Sequence, residues 1–499
     1  MSEVRVRFCP SPTGTPHVGN IRTALFNWAW AKHTKGKFIF RIEDTDTQRD
    51  SEESYQLLLE ALRWLNIDWD EGVEVGGPDE PYRQSQRYNI YKQVVKKLLT
   101  TGLAYESFST PEEIQQRNIN NGRPAQFGYD GADRHTSQAD KQSFIDQGRK
   151  PVIRIKMPDC DITFTDLIRG TITFPAGSVP DYVIVRGNGH PLYTLVNPVD
   201  DALMGINCVL RGEDILSSTP RQIVLYKYLK DIGINKNQGD GVPQFGHLPY
   251  VMGEGNKKLS KRDPSSNLFL YKDEGFLPEA FINYLALLGW AIAPDRDIFS
   301  TKDFIKNFDI KAVNPNAARF DYKKALAINS EHIRSLPCEK LINYIVPYMH
   351  RDKILSAKQF ANLNDREKNI LKLATPLIQP RIQTLNQASS MLRFLFIKAD
   401  NLEINQEARE QLNQTDKKVP HKQVLQISRD ILTKENNWQT DILHTILFKQ
   451  LIEVNNYKPK IAFTPLRVAI SGKRVSPPLF ESMAILGKNE TIKRIEKLL

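Results

Sequence analysis

Two short stretches of the chain carry side chains suited to holding phosphate. The first is HVGN at residues 17–20, where the His17 imidazole can donate a hydrogen bond without a permanent charge. Gly19 in the same stretch lets a ligand approach the backbone closely. The second is KLSKR at residues 258–262, whose ammonium groups are compact positive charges of the kind that bind phosphates. Two such patterns in one chain indicate phosphate binding more specifically than either pattern alone.

A strand and a helix are predicted on the two sides of the first stretch. Val4, Val6 and Phe8 alternate with other residues, which predicts a strand, and residues 21–35 predict an amphipathic helix. The prolines of residues 10–16 separate the two because proline fixes φ and lacks an amide donor. A strand, tight turn and helix in this order direct helix amides at a bound phosphate. The residues alone also fit a buried strand, a connector and a core helix, and a basic cluster also fits a solvated or nucleic-acid-facing surface.

Charged side chains follow further predicted strands. These strands are predicted over residues 37–42, 192–197, 207–210 and 245–251. Glu43 comes directly after one of them and Arg211 directly after another. Side chains at the carboxyl ends of parallel strands face the ligand crevice of an open α/β sheet. For Arg211 the alternative interpretation is an ion pair with Glu213 or Asp214.

The composition of the chain favours a protein with a polyanionic partner and argues against disulfide-rich and membrane proteins. The 499 residues contain 68 Lys plus Arg against 58 Asp plus Glu, a net charge of +10 that favours a polyanionic partner. This length predicts several domains. The four cysteines are scattered and include no CxxC pair, which argues against a disulfide framework. With no apolar signal segment or run of membrane-spanning length, we expect a cytoplasmic protein without a membrane partner.

Both phosphate-handling stretches resemble signature motifs of the class I aminoacyl-tRNA synthetases. HVGN matches their HIGH motif, with Asn20 where many members carry a second histidine, and KLSKR matches their KMSKS motif. An amide can still donate a hydrogen bond to phosphate, so this departure does not predict loss of activity.

Three further runs resemble the bacterial-type glutamyl-tRNA synthetases: PSPTG at residues 10–14, RIEDTD at 41–46 and GFLPEAFINYLALLGW at 275–290. The resemblance implies an α/β fold: a Rossmann-like parallel-sheet catalytic domain with an α+β connecting insertion, followed by all-helical stem-contact and anticodon-binding domains. The implied domains are the split catalytic domain at 1–100 and 190–252, the acceptor-binding insertion at 101–189, the stem-contact domain with the KLSKR loop at 253–335, and the two parts of the anticodon-binding domain at 336–400 and 401–499.

The resemblance also implies roles for individual residues. The implied catalytic residues are His17, Lys258 and Lys261. The implied ATP-binding residues are His17, Gly19, Asn20, Asp214, Lys258, Leu259, Ser260 and Lys261. The implied glutamate-binding residues are Arg7, Ser11, Thr13, Glu43, Tyr193, Asn197 and Arg211. Arginines suit a substrate with two carboxylates because a guanidinium engages a carboxylate bidentately. Arg381 is expected near the third anticodon base.

The implied activity joins L-glutamate to tRNA(Glu) in two steps, through glutamyl-adenylate. ATP and the Mg²⁺ that accompanies it are the expected cofactors, and a monomer is the expected state. Some relatives bind zinc through a CxC pair where this chain has Ser107-Phe108-Ser109. Hydroxyls without nearby thiolates or histidines do not hold structural zinc, so we expect neither zinc nor another protein-bound metal.

Three alternatives remain distinguishable. A glutaminyl-tRNA synthetase typically has PEPNG where this chain has PSPTG, and its C-terminal part would be a β-barrel. A relative that glutamylates a modified tRNA base would lack the helical C-terminal third. A non-catalytic RNA-binding protein would fail to exchange pyrophosphate with ATP. Whether tRNA(Gln) is charged as well stays open.

Overall fold

The computed structural model describes residues 3–46, 49–253, 257–259 and 263–499, so Ser260 and Lys261 of the predicted site lie outside the described residues. The chain forms two compact units. The first comprises Met1–Leu270 with Phe281–Tyr322, and the second comprises Tyr271–Ala280 with Lys323–Leu499. The boundaries of the individual domains given above stay predictions.

The first unit begins with a parallel sheet. Strands β1 (Arg5–Phe8), β2 (Lys37–Phe40) and β3 (Glu71–Gly72) pair in parallel in that order. Helices α1 (Val18–Thr34) and α2 (Glu52–Trp64) connect them. Parallel neighbours require such crossovers, and the inner residues of β1 and β2 are buried.

Helix α3 (Tyr88–Thr100) leads into the segment predicted as the insertion. This segment contains strands β4 (Ala104–Ser107), β5 (Val152–Ile155), β6 (Ile162–Asp166), β7 (Gly170–Phe174) and β8 (Val183–Val185), and helices α4 (Pro111–Asn120) and α5 (Gln138–Asp146). The antiparallel sheet β4-β5-β8 is separate from the parallel sheet. In contrast, the hairpin β6–β7 joins the second half of the parallel sheet.

That second half is built from helix α6 (Tyr193–Leu203), strand β9 (Cys208–Gly212), helix α7 (Thr219–Asp231) and strand β10 (Gln244–Leu248). Strand β10 pairs in parallel with β9 on one side and with β6, at Phe245 and Asp166, on the other. Asn207, just before β9, donates its backbone N–H to the carbonyl of Arg5 on β1. The two halves therefore meet at β1 and β9.

The strand predicted over residues 192–197 is wrong, because α6 begins at Tyr193. Leu195, Val199 and Ala202 recur at helical spacing and are fully buried. A short apolar run fits a buried strand and a buried helix equally well, and here the helix forms.

The strand predicted over residues 245–251 is interrupted at Pro249, and a short strand β11 (Val251–Met252) follows. The helix predicted from Gly275 begins later, at Pro278. Helix α8 (Leu268–Glu274) ends at Gly275, whose φ of 89° lies in the left-handed region that terminates helices. Helices α9 (Pro278–Leu287) and α10 (Thr301–Asn307) and strand β12 (Ala318–Arg319), which pairs with β11, complete this part of the chain.

The second unit is helical in its described elements. Its helices are α11 (Tyr322–Ser335), α12 (Cys338–Arg351), α13 (Asp365–Ile378), α14 (Gln387–Phe396), α15 (Gln406–Asp416), α16 (His421–Lys434), α17 (Thr440–Phe448), α18 (Pro459–Ser471), α19 (Leu479–Leu486) and α20 (Lys488–Leu498), with a π-helical segment at Lys449–Val454. The apolar faces of these helices, except α15, share one buried core. Ala408 and Leu412 of α15 pack instead in a small separate cluster with Val468 of α18. A crossover-connected parallel sheet followed by a helical C-terminal part confirms the predicted fold class. Within the described ranges no helix is both long and apolar enough to span a bilayer.

Candidate active site

One cavity of about 570 Å³ collects residues from both predicted ligand sets. It lies where β1 and β9 end, beside the N-terminus of α1. Its walls include Arg7, Ser11, Thr13, His17, Gly19, Asn20, Glu43, Tyr193, Asn197, Arg211, Asp214, Lys258 and Leu259. These are all the described members of the predicted ATP and glutamate sets, so the fold brings them together, while their individual roles stay predictions.

His17 connects the two phosphate-handling stretches. Its Nδ1 accepts the backbone N–H of Gly19 at 2.9 Å, which caps the start of α1. Because Nδ1 is an acceptor, the proton of the neutral ring is on Nε2, which donates to the carbonyl of Leu259 at 3.1 Å. The imidazole therefore presents a neutral N–H donor at the point where both stretches meet.

Lys258 places a positive charge at the same end of the cavity. Its Nζ lies 3.7 Å from Oδ2 of Asp214 and 4.1 Å from the ring centre of Tyr250. Both members of the ion pair are about half exposed, at 55% and 51%. Exposed pairs of this kind contribute little stability, so Lys258 can exchange Asp214 for a bound anion at small cost.

Arg211 is a buried cation held by neutral groups. Its Nη2 donates to Oγ1 of Thr219 at 2.9 Å, its Nη1 to Oε1 of Gln222 at 2.5 Å, and its Nε to Nε2 of His247 at 3.1 Å. The side chain lines the cavity although the residue is only 5% exposed.

The alternative ion pair of Arg211 with Glu213 or Asp214 does not form among the described residues. Glu213 accepts instead from the Arg169 guanidinium and from the backbone N–H of Tyr250, the latter at 2.7 Å. A buried positive charge without an anionic partner at a cavity wall favours binding of an anionic ligand group there.

Arg7, the second arginine predicted to bind glutamate, differs from Arg211 because it is already paired with a carboxylate. Its Nε lies 3.3 Å from both carboxylate oxygens of Asp201. Asp201 also accepts from Nη2 of Arg41 at 2.8 Å and from the hydroxyl of Tyr226 at 2.9 Å. Arg7 is thus oriented by a buried network and carries less uncompensated charge than Arg211.

Glu43 supplies a half-buried carboxyl to the cavity wall. Asn197 Nδ2 donates to its Oε2 at 3.1 Å. The orientation of that amide is fixed because its Oδ1 accepts from Arg41 Nη2 at 3.0 Å and from Cys9 Sγ at 3.3 Å. Burial raises the pKa of Glu43 to about 7. A ligand cation beside this carboxyl would offset that penalty, which suits an ammonium group.

Several side chains that support the site were missed by sequence reasoning. Arg41 is fully buried behind Asn197, and His247 is fully buried behind Arg211. Arg22 lines the cavity and donates to the carbonyls of Pro249 and Leu288, and burial lowers its pKa to about 10. A charged or polar residue inside a largely apolar predicted strand, as at Arg41 and His247, was a signal that each has a buried partner.

Two predicted features are not part of the cavity lining. In the segment predicted as the insertion, the hydroxyls of Ser107 and Ser109 donate to the carboxylate of Asp133 at 2.6 and 2.8 Å. The two serines are thus engaged by a carboxylate. Arg381 follows α13 in the second unit, where it is exposed.

Sequence comparisons match the chain to two families. Residues 3–326 match the family described as tRNA synthetases class I (E and Q), catalytic domain, and residues 340–499 match the anticodon binding domain family. A glutamate–tRNA ligase of Bifidobacterium adolescentis is 59% identical over 495 residues, covering 99% of this chain and 96% of that protein. One of Clavibacter sepedonicus is 56% identical over 499 residues, covering 100% and 96%.

A comparison of structures gives the same result. A solved structure described as a glutamate tRNA ligase from Elizabethkingia meningosepticum, in complex with its amino acid, superposes with a TM-score of 0.83. It is 31% identical in sequence and covers 100% of this chain and 99% of that chain.

Proposed function

Because this chain belongs to the class I (E and Q) tRNA synthetases, we propose that it is a glutamate–tRNA ligase. In the first step ATP and L-glutamate form glutamyl-adenylate and pyrophosphate. In the second step a terminal ribose hydroxyl of tRNA(Glu) takes the glutamyl group. Relatives that are more than half identical over nearly the whole chain carry this name, which supports the assignment.

The proposal rests on one cavity that is lined by two sets of side chains. Neutral and cationic donors, His17 and Lys258, form the first set, and Arg7, Arg211 and Glu43 form the second. The first set suits phosphates and the second suits an amino acid with two carboxylates and an ammonium group. A reaction between the α-phosphate and the α-carboxylate requires both ligands in one cavity.

On the phosphate side, the chain's main contribution is electrostatic. Negative charge accumulates on the α-phosphate during in-line displacement, so donors aimed at it lower the barrier. His17 can donate its Nε2 proton to a phosphate oxygen in place of the Leu259 carbonyl. Lys258, and Lys261 by its position in the matched motif, supply positive charge.

On the amino-acid side, Arg211 engages the γ-carboxylate, Arg7 is the second carboxylate contact, and Glu43 accepts from the ammonium group. Glutamine would leave the Arg211 cation opposite a neutral amide. A buried charge left without a partner is costly, so the same contacts favour glutamate over glutamine.

Mg²⁺ is expected to accompany ATP, where it would neutralise phosphate charge. In the described part of the chain, no three His, Cys, Asp or Glu side chains come close enough together to hold a metal. We propose that the ion is held mainly by phosphates and water rather than by a cage of protein side chains. We further propose that the protein is monomeric, as the resemblance implies, and cytoplasmic, as its sequence composition predicts.

The test is aminoacylation by the purified chain with ATP, labelled glutamate and, in separate reactions, tRNA(Glu) and tRNA(Gln). We expect glutamate to be attached to tRNA(Glu), and the second reaction decides whether tRNA(Gln) is also a substrate. Lys258→Ala should lose most activity, whereas Lys257→Ala, its exposed neighbour, should keep it. The assignment is refuted if neither tRNA is glutamylated. It is also refuted if parallel reactions with labelled glutamine show that glutamine is attached in preference to glutamate.

A further inference from the structure

A line of three buried side chains extends from the cavity wall into the sheet. Arg211 on β9 lines the cavity, His247 on β10 lies behind it, and Asp166 on β6 lies behind His247. Nε of Arg211 is 3.1 Å from Nε2 of His247, and Nδ1 of His247 is 2.6 Å from Oδ2 of Asp166. The side chains of His247 and Asp166 are 0% exposed.

The partners determine where the imidazole carries its proton. Arg211 Nε is always a donor, so Nε2 of His247 must accept. The hydroxyl of Thr219 lies 3.1 Å from the same Nε2 and accepts from Nη2 of Arg211, so with Nε2 unprotonated its own proton can point to that nitrogen. The proton of the neutral ring is therefore on Nδ1, facing the Asp166 carboxylate.

Asp166 is held in the orientation that this tautomer requires. Its Oδ1 accepts the backbone N–H groups of Ile168 and Arg169, each at 3.0 Å. Oδ2 is directed at His247 Nδ1 and is the acceptor that keeps the proton on this nitrogen, and the backbone N–H of His247 lies 3.2 Å from both carboxylate oxygens.

We propose that Asp166 and His247 are positioning residues that fix Arg211 for a carboxylate-bearing amino acid side chain. Asp166 selects the His247 tautomer, and His247 accepts from Nε and so aims the guanidinium at the cavity. In the other tautomer, Nε2–H would face the Nε–H of Arg211 and displace it. The inference rests on the proposed function, because the glutamate γ-carboxylate is the group that Arg211 engages there.

Asp166→Asn tests the tautomer directly. The asparagine oxygen should stay with the two backbone donors, which turns the amide N–H toward His247 and forces the proton onto Nε2. We expect the KM for glutamate to rise by about 10- to 100-fold, the loss expected for a hydrogen bond to a charged group. The KM for ATP should not change. Thr163→Val, which removes an exposed hydrogen bond between β6 and β7, is the control for damage to the strand and should leave both constants unchanged.

Two substitutions of His247 test the second half of the proposal. His247→Gln can keep an oxygen acceptor near the position of Nε2, whereas His247→Leu cannot. We expect the KM for glutamate to rise at least about tenfold more in the leucine variant. In the His247→Gln background, adding Asp166→Asn should have little further effect, because no ring remains whose tautomer it could set.

Wild-type aminoacylation separates this inference from the proposed function. If the wild type charges tRNA(Glu) but Asp166→Asn keeps its glutamate KM, the positioning role is refuted and the ligase assignment stands. Equal KM changes in His247→Gln and His247→Leu, or the same effect of Asp166→Asn in both backgrounds, would also refute it, since both results indicate general damage to the sheet.

Discussion

Replacing Glu43 with glutamine should stabilise the free protein above neutral pH. Burial raises the pKa of this carboxyl from 4.5 to about 7, so ionising it in the folded chain is costly. At about 1.4 kcal/mol for each pH unit, the rise corresponds to about 3 kcal/mol of unfolding free energy. An uncharged glutamine avoids that cost, and its amide oxygen can still accept from Asn197.

The gain depends on pH in a defined direction. Below about pH 4.5 the carboxyl is protonated in the folded and the unfolded chain, so its ionisation costs nothing. Between pH 4.5 and about 7 the unfolded chain releases the proton first, and stability falls as pH rises. Above about pH 7 the full cost is present. Glu43→Gln should therefore match the wild type at pH 4.5 and exceed it by about 3 kcal/mol at pH 8.

Urea unfolding followed by tryptophan fluorescence measures this difference, since five of the six tryptophans belong to the first unit. Glu53→Gln, an exposed glutamate on α2, is the matched control and should show no gain at either pH. Equal stability of Glu43→Gln and wild type at pH 8, or an equal gain at both pH values, would refute the reasoning.

The same substitution should abolish productive glutamate binding. In the wild type, kcat/KM for glutamate should fall as the pH drops through about 7, because protonated Glu43 cannot pair with an ammonium group. In Glu43→Gln this dependence should disappear along with most of the activity. A wild-type profile that is flat across this range would contradict the assigned role.

The remaining predictions concern other parts of the site and the segment predicted as the insertion. Arg211→Ala should reduce kcat/KM for glutamate at least about a hundredfold, and glutamine should lose far less; equal losses would make the residue structural. Lys261→Ala should reduce tRNA-dependent ATP–pyrophosphate exchange by about a hundredfold while circular dichroism stays unchanged, and near-normal exchange would remove this lysine from the mechanism. Elemental analysis should find no stoichiometric zinc, because Ser107 and Ser109 replace thiolates; one zinc per chain, lost on chelation with unfolding of residues 101–189, would overturn this.

Local patterns predicted the parts of the fold that depend on neighbouring residues. The alternation from Val4 to Phe8 and the prolines after it gave β1 and the start of α1. The strand prediction for residues 192–197 failed because so short a run fits a strand and the start of a buried helix equally well. Whether these residues form a helix or a strand depends on packing against residues that are distant in the sequence.

The residues of the candidate site also fall into those that the local sequence predicted and those that it did not. Side chains that line the cavity, such as Glu43 and Arg211, directly follow predicted strands and were found from that position. Asp166 and His247 were not, because they are 81 residues apart in sequence and meet through the pairing of β6 with β10. Partners on strands brought together by the sheet leave no local signal.

The hairpin β6–β7 limits how this protein could be recombined with its relatives. Exchanging residues 101–189 as one block would also replace the strand beside β10 in the parallel sheet, and Asp166 with it. A chimaera should keep this chain's residues 162–174 and exchange only the β4-β5-β8 sheet with its helices. The ends of an exchangeable segment should therefore be chosen from the pairing of the strands, even where this divides a continuous stretch of sequence.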